Sequence, residues 1–227
     1  MMIKAVIFDF DGTLITFNLD IKACRSEIIN HLIQQGFPHT LFSKKETAFD
    51  MLEKVRHYLK IKGIETQKFA KIKMKVFTIV ESFELESAKT TKMFKGIPET
   101  LIELRKMELK IALCTISGKK ATTYSLKRFQ INQLFDAVIT RDSVPEVKPN
   151  PIHLQTTLDA LNVEHSEAVI IGDSTKDMAC ASKLDILAVG VTTGLSSKES
   201  LINTGAHYIV SSVNEILPII QWLNQKY

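Results

Sequence analysis

Short apolar runs separated by stretches of helical spacing restrict this chain of 227 residues more than any other feature. Ala5 to Phe10, Lys110 to Cys114, Ala137 to Thr140, Ala168 to Ile171 and Ile186 to Val191 read as buried strands, and His207 to Val210 as a weaker sixth. Strands alternating with helices, each strand apolar on both faces, argue for a parallel sheet covered on both sides. Pro98 and Pro151 stand where a first helical residue belongs, and Asn150 fits the N-cap of the second of these helices. The expected class is α/β, a Rossmann-like three-layer arrangement around a parallel sheet.

The stretch from about Phe17 to Lys95 breaks the alternation, because it holds no convincing central strand. Ile21, Cys24, Ile28, Ile29, Leu32 and Ile33 recur at helical spacing and stop near Gly36. Ser43 and Glu46 have the spacing of a capping box ahead of Ala48, Met51, Leu52, Val55 and Leu59, and Gly63 closes that run. Lys71 to Val76 alternates like a strand, but the length of the segment from Thr66 to Ser87 favours helix. The expectation is a core of residues 1–16 and 91–227 with a helical insert at 17–90.

Composition excludes more than it selects. The net charge of +4 does not call for nucleic acid, and no apolar run reaches the roughly 18 residues that suggest a membrane span. The insert carries the positive balance: Ile21 to Thr90 holds 13 Lys and Arg against 8 Asp and Glu, a difference of +5. Most of these lysines read as a solvated face, and some could steer an anionic substrate. Cys24, Cys114 and Cys180 make a poor disulfide framework, and the scattered histidines lack zinc-site spacing. Met1 to Ala5 runs straight into a strand pattern without a signal-peptide cleavage region, so the cytoplasm is the expected location.

Four places carry possible chemistry. In Phe8-Asp9-Phe10-Asp11-Gly12-Thr13 the two acids share one side of a strand end, where ligands of open parallel sheets bind. Paired carboxylates there repel and need a cation to stay ionised together, although a plain Asp-Gly turn has the same letters. Gly172-Asp173-Ser174-Thr175-Lys176-Asp177 ends another buried strand in an acid with a second acid four residues on. Hard oxygen ligands of this kind suit magnesium, while Ser174 and Asp177 also fit a capping box. Lys148 precedes Pro149 and is therefore presented from an extended backbone, and Thr115 follows a strand with Ser117 and Gly118 behind it. Taken singly, this lysine and this threonine are ordinary loop residues.

Together the four resemble the motifs of the haloacid dehalogenase superfamily in order and spacing. Asp9 to Thr13 matches the first motif, Thr115 the second, Lys148 the third, and Gly172-Asp173-Ser174 with Asp177 the fourth. The insert after the first strand is similar to that family's helical cap, and the layout looks most like phosphoglycolate phosphatase and beta-phosphoglucomutase relatives. The sequence departs from the family at Ile116, where asparagine is common, and after Leu14, where Ile15 to Asp20 lacks the acid usual a few positions beyond the first motif in sugar-phosphate members.

The resemblance implies a magnesium-dependent phosphatase for a small phosphorylated metabolite, either phosphoglycolate-like or a sugar phosphate. Asp9 would be the nucleophile and Asp11 the general acid and base. Asp9, Asp11, Asp173 and Asp177 would surround Mg2+, the second of them through its main-chain carbonyl. Lys148, Thr115 and Ser117 would hold phosphate oxygens, with Lys148 also offsetting the carboxylates. No nucleic-acid or membrane partner is expected. A phosphomutase shares every core residue, and a non-catalytic phosphate-binding descendant is the alternative outside the enzymes.

Overall fold

The computed structural model of the protein describes residues 2–63 and 66–225. Met1, Lys226 and Tyr227 of the expected core, and Ile64 and Glu65 of the expected insert, lie outside the described residues. The chain groups into two compact units, Asn18–Thr90 and the remainder.

The larger unit is a parallel six-stranded sheet among the described residues: β1 (Ala5–Phe8), β2 (Lys110–Cys114), β3 (Ala137–Ile139), β4 (Ala168–Gly172), β5 (Leu187–Val191) and β6 (Tyr208–Val210). Their order is β3-β2-β1-β4-β5-β6, so the chain moves outward from β1 first to one side and then to the other. Alternation of side chains explains the burial of both faces. Val6 and Phe8, with Ile111 and Leu113, pack against Ile97, Leu101 and Leu104 of α4 (Ile97–Lys106) and Ile216 and Ile220 of α9 (Ile216–Gln225). Ala5, Ile7 and Ala112 face Leu154, Leu158 and Leu161 of α6 (Pro151–Leu161) and Met178 and Ala181 of α7 (Thr175–Lys183). Each of these fully buried large aliphatic side chains contributes about 1.5–3 kcal/mol relative to exposure. This is the α/β class expected from the apolar runs.

Strand β1 is shorter than its apolar run. After Asp9 the chain leaves the ladder and the carbonyl of Phe10 accepts from the N–H groups of Thr13, Leu14 and Ile15, a tight turn that Gly12 permits at φ +91°. Asn150 caps α6 as expected, its side chain accepting from Ile152 N at 3.0 Å.

The smaller unit contains α1 (Ile21–Gln34), α2 (Ala48–Ile61) and α3 (Thr66–Thr90). Cys24, Ile28, Leu32, Met51, Val55, Leu59, Ile72, Val76 and Ile79 form its own core, and the ambiguous segment is helix throughout. The expected box of Ser43 and Glu46 does not form. Thr47 and Asp50 make it instead, with Asp50 Oδ2 accepting from Thr47 N at 2.8 Å, because Thr47 directly precedes the first helical residue. Among the described residues no helix is long and apolar enough to cross a membrane. The loops that follow β1, β2, β4 and β5, together with the loop before α6, carry a cluster of polar residues at the carboxyl ends of the strands.

Candidate active site

The register of the sheet brings three strand ends together. Phe8 of β1 pairs with Leu113 of β2 on one side and with Ile171 of β4 on the other. Asp9, one residue on, donates its N–H to the Ile171 carbonyl at 2.9 Å. Asp9 thus stands at the carboxyl edge where the strand order changes direction, the place where open α/β sheets build their sites. Asp173 follows β4 directly, and Asp177 lies in the first turn of α7.

Lys148 joins them from the loop before α6. Its ammonium donates to Asp9 Oδ1 at 2.7 Å, to Asp177 Oδ1 at 2.5 Å and to the Cys114 carbonyl at 2.6 Å. An ammonium has three N–H donors, and all three are directed at protein oxygens. Lys148 and Asp177 are 2% and 0% exposed, so the pair is buried and each side chain is the other's charge partner there. Asp177 is also the cap residue read from its spacing: Oδ2 accepts from Ser174 Oγ at 2.6 Å and Ser174 N at 3.2 Å. One carboxylate serves the helix with one oxygen and the lysine with the other.

Backbone holds Asp173. Leu195 N donates to its Oδ2 at 2.9 Å and Thr13 Oγ1 to its Oδ1 at 3.2 Å. Glycine is needed on both flanks, since a Cβ on Gly12 would lie 2.6 Å from Oδ2 and one on Gly194 would overlap the carboxylate outright. Thr193 Oγ1 donates to the Gly12 carbonyl at 2.6 Å and ties the loop after β5 to the loop after β1.

The loop after β2 forms the opposite wall. Buried Thr115 donates its N–H to the Ile139 carbonyl at 3.0 Å, and its hydroxyl accepts from Ser117 N at 3.1 Å. Ser117 Oγ donates to Asp11 Oδ2 at 2.6 Å. The imidazole of buried His153 stands behind Lys148 and accepts the lysine's main-chain N–H at Nδ1, 3.3 Å away. The ring proton therefore sits on Nε2, which is buried without a hydrogen-bond partner among the described residues.

The electrostatics ask for a cation. Burial pushes Asp9 well above the usual carboxylate range, Lys148 opposes this, and Asp177 and Asp173 reinforce it. Burial and then Asp177 raise Asp173. Burial alone would lower Lys148, but Asp177 and Asp9 outweigh it and hold the ammonium well above its ordinary value. Asp9, Asp173 and Asp177 each offer an oxygen, all within 4.8 Å of one another. Three carboxylates less one ammonium leave two negative charges, the complement of a divalent ion, and an all-oxygen donor set suits a hard one. The residues fit such a metal.

Of the residues singled out from sequence, Asp9, Lys148, Asp173 and Asp177 meet in one buried cluster, while Asp11, Thr115 and Ser117 line the adjoining wall. Sequence reading missed Gly194, the N–H of Leu195 and His153. Gly194 matters through its contact with Asp173 on another loop, and no local signal marked the histidine.

A family model described as haloacid dehalogenase-like hydrolase matches residues 6–191. Pyrophosphatase PpaX of Bacillus mycoides is 26% identical over 227 residues, covering 99% of this chain and all of that protein. Among solved structures, a hydrolase from Pseudomonas syringae superposes with a TM-score of 0.71 at 22% identity, covering 97% of this chain and 99% of the other. A predicted phosphoglycolate phosphatase from Haemophilus somnus does so with a TM-score of 0.66 at 20% identity, covering 96% and 98%. At these identities the structures establish a shared fold.

Proposed function

Because this chain belongs to the haloacid dehalogenase-like hydrolase family, we propose that it is a magnesium-dependent phosphatase acting on a small phosphorylated metabolite through an aspartyl-phosphate. The observation that carries the reading is the meeting of Asp9, Asp173 and Asp177 on Lys148 at the carboxyl edge of the sheet.

Asp9 attacks phosphorus in line and takes the phosphoryl group as an acyl phosphate, a mixed anhydride, which divides one difficult displacement into two easier ones. Lys148 orients the Asp9 carboxylate and keeps it ionised against its acidic neighbours. Asp11 gives a proton to the departing oxygen and then takes one from the water that hydrolyses the intermediate. Thr115 and Ser117 line the phosphate side. Asp9, the main-chain carbonyl of Asp11 and Asp173, with Asp177 behind them, would hold the ion, whose chemistry when bound is to neutralise charge on the transferring group. The helical stretch 17–90 takes the part of the family's cap and chooses among substrates. Its excess of lysine and arginine suits anionic ones.

The test is a screen of phosphorylated metabolites, with free phosphate as the readout. The panel includes phosphoglycolate, hexose phosphates and, because a relative over the full length is named a pyrophosphatase, inorganic pyrophosphate. Release of phosphate that EDTA abolishes and magnesium restores is expected. Full turnover in EDTA, or isomerised sugar phosphate in place of free phosphate, would overturn the reading.

A further inference from the structure

The loop after β2 departs from its family at Ile116, yet it is braced along its length. Its brace is the segment that follows β3. The Thr115 N–H reaches the Ile139 carbonyl at 3.0 Å, and Arg141 N donates to the Ser117 carbonyl at 3.2 Å. The Arg141 guanidinium donates through one terminal nitrogen to the Ile116 carbonyl at 3.3 Å. Asp142 Oδ2 accepts from Lys119 N at 2.7 Å, at the start of α5 (Lys119–Arg128). Thr140 and Ser143 close this segment on itself, Ser143 Oγ accepting from Thr140 N at 3.2 Å. Thr115, Ile116, Ser117 and Lys119 are thus gripped through their main chain by residues 139–142.

What this brace points at is Ser117. Its hydroxyl is 2.6 Å from Asp11 Oδ2, a contact between residues 106 apart in sequence. A hydroxyl that donates to one carboxyl oxygen fixes the rotamer of that carboxyl and directs any proton it carries to the other oxygen, Oδ1. A carboxylic acid that must place its proton on a departing oxygen gains from being held in one orientation, since small displacements from productive geometry cost large factors in rate.

We propose that Ser117 is the positioning residue of Asp11, and that Arg141 and Asp142 act through the loop to hold Ser117 in place. In the first half-reaction the proton leaves Asp11 Oδ1 for the alkoxide oxygen as its bond to phosphorus breaks. In the second, Asp11 recovers a proton from the water that attacks the phosphoryl group on Asp9. Ser117 exchanges no proton and makes no bond to the substrate in either step. The inference rests on the proposed acid and base role of Asp11, and it departs from a phosphate-binding role for Ser117.

The two roles are separated by leaving groups. The holoenzyme with saturating magnesium is assayed on an alkyl phosphate and on p-nitrophenyl phosphate, whose leaving oxygen needs little protonation. Asp11→Asn is the reference and should lose far more on the alkyl ester. Ser117→Ala should show the same selectivity to a smaller degree, losing on the order of tenfold to a hundredfold in kcat on the alkyl ester and only a few-fold on the aryl ester. Ser117→Thr, which keeps the hydroxyl, should recover most of the loss. Asp142→Ala removes a partly exposed side chain and should show the same selectivity with a smaller loss. Combined with Ser117→Ala it should add nothing, because both changes release the same carboxyl.

Equal losses of Ser117→Ala on both esters, or a rise in KM alone, would show that the hydroxyl binds phosphate and would overturn the inference. Multiplying losses in the double variant would remove Arg141 and Asp142 from the account. If Asp11→Asn itself showed no selectivity, the acid and base role would fall, and the inference with it. Selectivity in Asp11→Asn without selectivity in Ser117→Ala defeats the inference alone.

Discussion

The ammonium of Lys148 and the carboxylate of Asp177 meet at 2.5 Å with neither side chain more than 1% exposed, and the same ammonium reaches Asp9 at 2.7 Å. Residues far apart in the chain thus share one buried cation. Without it, Asp9 and Asp177 would be left as neighbouring buried carboxylates with no positive partner between them.

Lys148→Met should therefore destabilise the metal-free protein by about 3–5 kcal/mol, the usual consequence of removing one partner from a buried charge network. Millimolar magnesium should return part of that loss, because a divalent ion replaces the missing positive charge. Urea denaturation with and without magnesium measures both quantities. A variant as stable as the parent in EDTA would show that the carboxylates do not depend on the lysine.

The histidine behind Lys148 makes stability depend on pH. Burial first, and then the nearby ammonium, push His153 down from 6.5 to about 4. A base whose folded value is depressed is neutral when folded and takes up a proton when unfolded. Its contribution is thus fully present above pH 6.5 and is lost as pH falls toward 4. At about 1.4 kcal/mol per unit the loss is roughly 3 kcal/mol. Denaturation curves of the parent and His153→Gln should converge over this window, because the variant has nothing there to titrate. Parallel curves would contradict the assignment.

The glycine after Thr193 admits a third prediction. A methyl group at Gly194 would occupy the space of the Asp173 carboxylate, which is held there by the Leu195 N–H. Gly194→Ala should push that carboxylate aside and weaken magnesium binding at least tenfold in titration calorimetry, while the apo protein loses little stability. Unchanged affinity would place Asp173 outside the metal site.

How much of this was legible beforehand follows from the range of each interaction. Asp9, Asp11, Asp173 and Asp177 announce themselves because a buried strand ending in an acid is a local pattern. Lys148 and Thr115 stood out only through family resemblance, since their partners are on other strands. His153 was invisible because its meaning is a contact with the Lys148 backbone and full burial, neither of which has a local signature. The same holds for the brace around Ser117, which depends on β3 lying beside β2. The helical insert was readable from spacing, but its second helix is capped by Thr47 rather than by the expected Ser43. Two good capping residues four positions apart compete, and the one next to the first helical turn wins.

The central claim is that Asp9 carries the phosphoryl group, and one measurement meets it directly. Asp11→Asn leaves the nucleophile intact but removes the proton donor and the later base, with expected losses of about 10²–10⁴-fold in steady turnover. On p-nitrophenyl phosphate its first step should survive better than its second, so a phosphoenzyme should build up. Rapid acid quenching with substrate labelled in the phosphoryl group, followed by peptide mapping, should find the label on Asp9 in that variant and on no residue of Asp9→Asn. Label on another residue, or hydrolysis by Asp9→Asn at the parental rate, would contradict the account.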